Sequence, residues 1–142
     1  MNSPQRYILA LSRALVSIIF LLSGLGIISQ ATAAKELVEH GAPASLVPLF
    51  MLSARTIEVL AGFSLAVAFY PRAAAVALLA FLVPATFTAH DFWKVTGTAA
   101  LTPQLLNFLK NTAMAGGLLF IAATKSQPTL LPHTSRSNGG NK

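Results

Sequence analysis

The sequence predicts an all-α membrane protein, a four-transmembrane-helix antiparallel bundle with both termini in the cytoplasm. Three observations lead there. Of 142 residues, 54% are hydrophobic and 10% charged, against about 25% charged in an average soluble domain. The apolar residues gather into four stretches of roughly 17–22 residues, and about 20 residues of helix cross the hydrocarbon of a bilayer. Lysine and arginine fall unevenly on the two sides that four crossings define. A soluble fold this small has too much surface for its volume to hide so much apolar side chain, so a soluble enzyme is excluded. Short alternating strands with turn signals, the mark of a membrane barrel, do not occur.

The first span runs from about Tyr7 to Ile28, interrupted only by Arg13 and a few serines. Residues 30–46 read as a loop ending in Gly41-Ala42-Pro43, after which Pro48 sits where the first turn of a helix tolerates proline. The second span, 49–70, contains Arg55 and Glu58. Tyr70-Pro71-Arg72 leaves room only for a tight helical hairpin. The third span, 73–89, contains Pro84 and is short enough to require interfacial residues or local bilayer thinning. His90, Asp91, Phe92, Trp93 and Lys94 open the next loop, which continues to Pro103. The fourth span, 105–124, begins with Asn107, Lys110 and Asn111. Residues 1–125 thus form one membrane domain. Residues 126–142, with Pro128, Pro132 and Gly139-Gly140, read as a disordered basic cytoplasmic tail.

The net charge of +6 is first a statement about topology. Arg6, Arg13, Arg72, Lys125, Arg136 and Lys142 fall on one side; Lys35 and Lys94 fall on the other, beside Glu36, Glu39 and Asp91. The positive-inside rule makes the first side cytoplasmic. Arg13 is close enough to that side to snorkel to the headgroups. The cations are scattered and carry no aromatic interleaving, which argues against nucleic acid. Arg6, the apolar stretch and Ala31-Thr32-Ala33 also resemble a cleavable signal segment, but the stretch is long enough to span, and a retained helix is the preferred reading. With no cysteine, the chain has no thiolate chemistry of its own.

Ionisable groups inside a span cost at least ~2.5–3.5 kcal/mol at its centre on insertion scales, so each is a functional candidate. Arg55, Glu58 and Gly62 share one face of the second span by helical spacing. Glu58 lies about 15 Å below Pro48 and Lys110 about 9 Å into the fourth span at helical rise. Asn107, Lys110, Asn111 and Met114 share a face, and His90 and Asp91 end the third span on the same outer side. The expectation is a polar ligand pocket in the outer half of the bundle, made by Arg55, Glu58, His90, Asp91, Asn107, Lys110 and Asn111. A buried Glu58 must be paired or neutral; Arg55 and Lys110 are its expected partners, with Asn107 and Asn111 satisfying the rest. The competing reading is structural, because interhelical polar contacts also fix register. Phe92 and Trp93 read as an interfacial belt. Gly62-x-x-x-Ala66 and Ala113-x-x-x-Gly117 read as close-packing pairs. Glu39, His40, His90 and Asp91 are adjacent pairs rather than i, i+4 pairs, so no metal site is expected.

These motifs together resemble the DoxX family of small four-helix membrane proteins, over about residues 7–125. The first span carries Arg13, Phe20 and Ser23-Gly24; the second carries Glu58 and Gly62, with its turn ending at Arg72; the third ends in His90-Asp91-Phe92-Trp93; the fourth begins Asn107-Phe108-Leu109-Lys110-Asn111 and continues to Gly116-Gly117. The short bacterial inner-membrane members are the nearest in pattern. Ile27 stands about where relatives carry a lysine; Arg55, outside the motif, is a candidate replacement. The resemblance implies a link to redox biology, as in thiosulfate:quinone oxidoreductase subunits and membrane complexes of thiol or oxidative stress. Three functions follow for testing. One is a redox-associated subunit whose pocket takes a quinone or small oxyanion, with Glu58, His90 and Lys110 as candidate catalytic groups, electrons coming from a partner or ligand. The second is a non-catalytic membrane partner or assembly protein whose polar cluster is structural. The third is a solute pathway, disfavoured because there is no repeat or interrupted helix pair.

Overall fold

The computed structural model describes residues 3–124. Among them every regular element is a helix and there is no strand. It forms α1 (Ser3–Gly24), α2 (Ala31–Glu39), α3 (Val47–Ala66), α4 (Pro71–Ala89) and α5 (Thr98–Ala123), with 3₁₀ turns at Ala44–Leu46 and Phe92–Lys94. Four of the five helices, all but α2, are long and apolar enough to cross a membrane. The proposed tail, 126–142, lies outside the described residues.

Four places differ from the sequence reading. The first span stops at Gly24 rather than Ile28, because Gly26 takes φ +78° and ends the helix. The Ile27 N–H then reaches back to the Leu22 carbonyl (2.9 Å) and the Gly26 N–H to that of Ser23 (2.9 Å), the paired bonds of a Schellman stop. Residues 30–46 are not a plain loop, since most of them are α2, closed by the same device at Gly41 (φ +88°). The second span, read as 49–70, ends at Ala66, because the chain turns through Ala68 (φ +60°) and Tyr70 (φ +45°) before α4 starts at Pro71. The fourth span starts seven residues early, at Thr98, so Pro103 lies inside α5 and removes a single backbone bond, the one the Ala99 carbonyl would accept.

Packing follows chain order: α1 lies against α3, α3 against α4 and α4 against α5, while α1 meets α5 much more sparsely. Small residues permit the approaches. Gly62 stands against Phe20 and Leu21, and Gly117 against Val16, so both small-residue pairs contribute a close contact. The core is Phe20, Leu65, Ala74, Ala75, Leu78, Leu82, Leu118 and Ile121. Most of it sits toward the α3–α4 turn, where Arg72 Nε donates to the Ala122 carbonyl (3.0 Å) and satisfies an end group of α5. Arg13 does not snorkel out. It is 7% exposed, because it shares the face of Ser17 and Phe20 that packs inward, and among the described residues its Nε has no hydrogen-bond partner. At the opposite end the bundle is hollow.

Candidate functional site

The hollow is a cavity of about 690 Å³ between the long helices and beneath α2. Its floor is Phe20 and Leu82, where the solid core begins. Of the seven residues expected in the pocket, Glu58, His90, Lys110 and Asn111 line it; Arg55, Asp91 and Asn107 do not. The four come from three helices or their ends, so the topology does gather them in one place.

Glu58 is 5% exposed. Among the described residues it makes no ion pair, and Arg55 and Lys110 are not its direct partners. Gln30, at the N-cap of α2, takes that place. Its Nε2 donates to Glu58 Oε2 (2.7 Å) and to Ser23 Oγ (2.7 Å), while its Oε1 accepts from Arg55 Nε (3.2 Å). The cation and the acid on α3 are therefore coupled through an amide from another helix. Arg55 lies outside the cavity, its guanidinium over Gly26. Lys110 Nζ donates to Asn107 Oδ1 (3.1 Å), which accounts for Asn107 as a support for the lysine.

His90 Nδ1 is 3.0 Å from Gln104 Oε1. With that oxygen as acceptor, Nδ1 carries the proton and Nε2 is the basic nitrogen. Glu36 of α2 lines the cavity near His90. Burial raises its carboxyl above the usual glutamate value, the neighbouring His90 opposes this, Asp91 and Glu39 add to it and His40 opposes it. Asp91 belongs to a separate cluster at the rim: its Oδ2 is 2.9 Å from Lys94 Nζ and 3.2 Å from His40 Nε2. Glu39 pairs with Lys35 (3.6 Å), and among the described residues no three metal-ligating side chains converge. Phe92 and Trp93 pack edge-on with Phe108, and Phe87 joins them.

The sequence reading did not place Gln30 and Glu36 in the cavity wall or Gln104 against His90. Residues 30, 33, 36 and 37 recur at helical spacing, and Gln30, Ala33, Glu36 and Leu37 all face the cavity; that period was the available signal for α2.

A sequence model described as DoxX matches residues 8–91, from α1 through the His90-Asp91 pair. The chain belongs to the DoxX family. This DoxX protein is also similar to inner membrane protein YphA of Escherichia coli (strain K12), 28% identical over 124 residues that cover 87% of this chain and 86% of that protein. No solved structure matches it. The family match ends before α5, so Lys110 and Asn111 lie beyond it. With four spans, this member of the family is an integral, multi-pass membrane protein.

Proposed function

We propose that this DoxX protein is a redox-associated subunit of the bacterial inner membrane whose cavity binds a quinone head group or a small oxyanion. The observation that carries this reading is the convergence of Glu58, His90, Lys110 and Asn111 on one cavity. Lys110 and Asn111 supply donors to the ligand's oxygens. His90 Nε2 is the proton acceptor, and Glu58 the buried acid held ready by Gln30. The chain has no cysteine, so electrons arrive and leave through the ligand and a redox partner protein. The inner-membrane placement is supported by the likeness to YphA, and the redox association by the family resemblance.

The bundle is proposed to be antiparallel, with both termini cytoplasmic and the α2 end facing outward. Gly24 approaches Glu58, and Gly62 approaches Phe20; numbers that rise on one helix as they fall on the other support opposite directions for α1 and α3. The charge asymmetry supports the orientation. Residues 126–142 are proposed as a cytoplasmic tail.

A second reading has its own support: Gln30 satisfies Glu58, and Asn107 satisfies Lys110, without any ligand. On that reading the chain is a non-catalytic membrane partner or assembly protein. The double variant Glu58→Gln, Lys110→Met separates the two. Loss of quinone binding with thermal stability retained in detergent supports the site; lower stability with no binding in either protein supports the structural role.

A further inference from the structure

Toward water, the cavity has a roof fastened at both ends. At the start of α2, Gln30 is bonded to Ser23, Glu58 and Arg55. Past its end, His40 lies against Asp91, which also holds Lys94. Between these fastenings α2 packs on α3 and α4.

Toward the bilayer, the wall is incomplete. Phe50, Ser53 and Ile57 of α3 and Pro84 of α4 line the cavity and are at the same time exposed. On α3 the flank facing α1 is fixed by Val59, which abuts Gly24, and by Gly62, which abuts Phe20. Helical spacing sets residues 50, 53 and 57 on the other flank, toward α4. The opening is therefore in the α3–α4 seam. Residues 50–57 lie about 5–15 Å along α3 from its start at helical rise, a depth occupied by hydrocarbon. Its edges are aromatic or aliphatic apart from Ser53, whose hydroxyl is spent on the Leu49 carbonyl (2.9 Å). Two further lining residues are exposed: Ile28, in the link between α1 and α2, and Lys110, which presents a charge held by Asn107 rather than an apolar path.

We infer that the ligand enters sideways from the bilayer through the α3–α4 seam, beneath α2, and is a quinone whose isoprenoid tail lies in that seam. This inference rests on the ligand-binding reading above and selects between its two ligand classes. A small oxyanion would have to shed its hydration along an apolar edge with no compensating donor. An isoprenoid tail loses nothing there, since lipid and seam are equally apolar. Once seated, the head group meets Glu58, Asn111 and Lys110 behind the opening.

The absence of native cysteine makes the test clean. Ser53→Cys is reconstituted in lipid nanodiscs, with and without a bulky maleimide on the single thiol, at matched thermal stability. Association of a long-tailed isoprenoid quinone, its tail-less head and thiosulfate is followed by quenching of Trp93, the chain's one tryptophan. The expected result is binding of the long-tailed quinone that the maleimide slows about tenfold or more, with much weaker binding of the tail-less head and none of thiosulfate. A long-tailed quinone that binds at the same rate with the seam blocked overturns lateral entry and leaves quinone binding standing. Binding of thiosulfate alone overturns both the ligand class and the route. Binding of none of the three overturns the binding reading itself, and this inference with it.

Discussion

Gly24 has no room for a side chain. A Cβ there would stand 2.8 Å from Val59 Cγ2 and 3.0 Å from both the Arg55 carbonyl oxygen and Glu58 Cβ. The backbone oxygen cannot move without moving α3. Gly24→Ala should therefore cost about 1–3 kcal/mol, as overpacking does, and should shift Glu58 with it. Gly116 meets nothing within 4 Å, so Gly116→Ala should be neutral or stabilising by up to ~1 kcal/mol through helix propensity. Thermal unfolding of the two variants in one detergent checks the contrast. Gln30 is the second decisive residue. Gln30→Leu leaves Glu58 buried without its amide donor, a loss of about 1–3 kcal/mol. A double-mutant cycle with Glu58→Leu should show coupling of about 0.5–3 kcal/mol; additive effects would mean that the 2.7 Å contact is incidental. The sequence made Glu58 and Lys110 conspicuous because charge inside an apolar run is rare. Gln30 and Gln104 were invisible to that test, being neutral and outside the spans as read.

At the scale of elements, α2 carries most of what is specific to the site. It has nine residues, below the length at which an isolated helix holds in water, so its order depends on its fastenings. Asp91→Ala removes the contacts at its far end, and amide exchange should accelerate in residues 31–39 while α4 stays protected; equal acceleration in both would mean that the rim cluster does not hold the roof. Glu36 makes the docking pH-dependent. Its folded-state carboxyl titrates above the unfolded value because burial disfavours the charge. The folded state then binds more protons, so stability falls as pH rises from the ordinary glutamate range through the raised folded value. Glu36→Gln should flatten that part of a stability-against-pH curve. The long helices were legible because each is a continuous apolar run. Their ends were not: Gly26 stops α1 within an apolar sequence, and α5 runs through Thr102-Pro103, where composition suggests a loop. The α2 helix was hidden by its brevity and by a cap residue that bonds to other helices rather than to its own backbone.

On the scale of the whole molecule, the bundle is solid toward the α3–α4 turn and hollow beneath α2. Alanines at 74 and 75 and glycines at 62 and 117 draw the helices together at one end; Gln30, Glu36, Glu58 and His90 occupy the other. Composition alone disclosed a membrane bundle, and helical spacing disclosed which polar groups share a depth. Which of them face one cavity depended on rotations about helix axes that spacing leaves undetermined, and so Arg55, Asp91 and Asn107 were grouped with residues they only support or adjoin. Orientation is tested by reporters fused after the last residue: activity of a cytoplasmic reporter and silence of a periplasmic one are expected. The central claim is that the hollow end holds a quinone. The most direct measurement is mass spectrometry of the small molecules retained when the protein is taken from its own membrane into nanodiscs, beside the Glu58→Gln, Lys110→Met variant. A quinone enriched over bulk lipid in the native protein and lost from an equally stable variant is the predicted result. Quinone at the bulk-lipid level in both would contradict it.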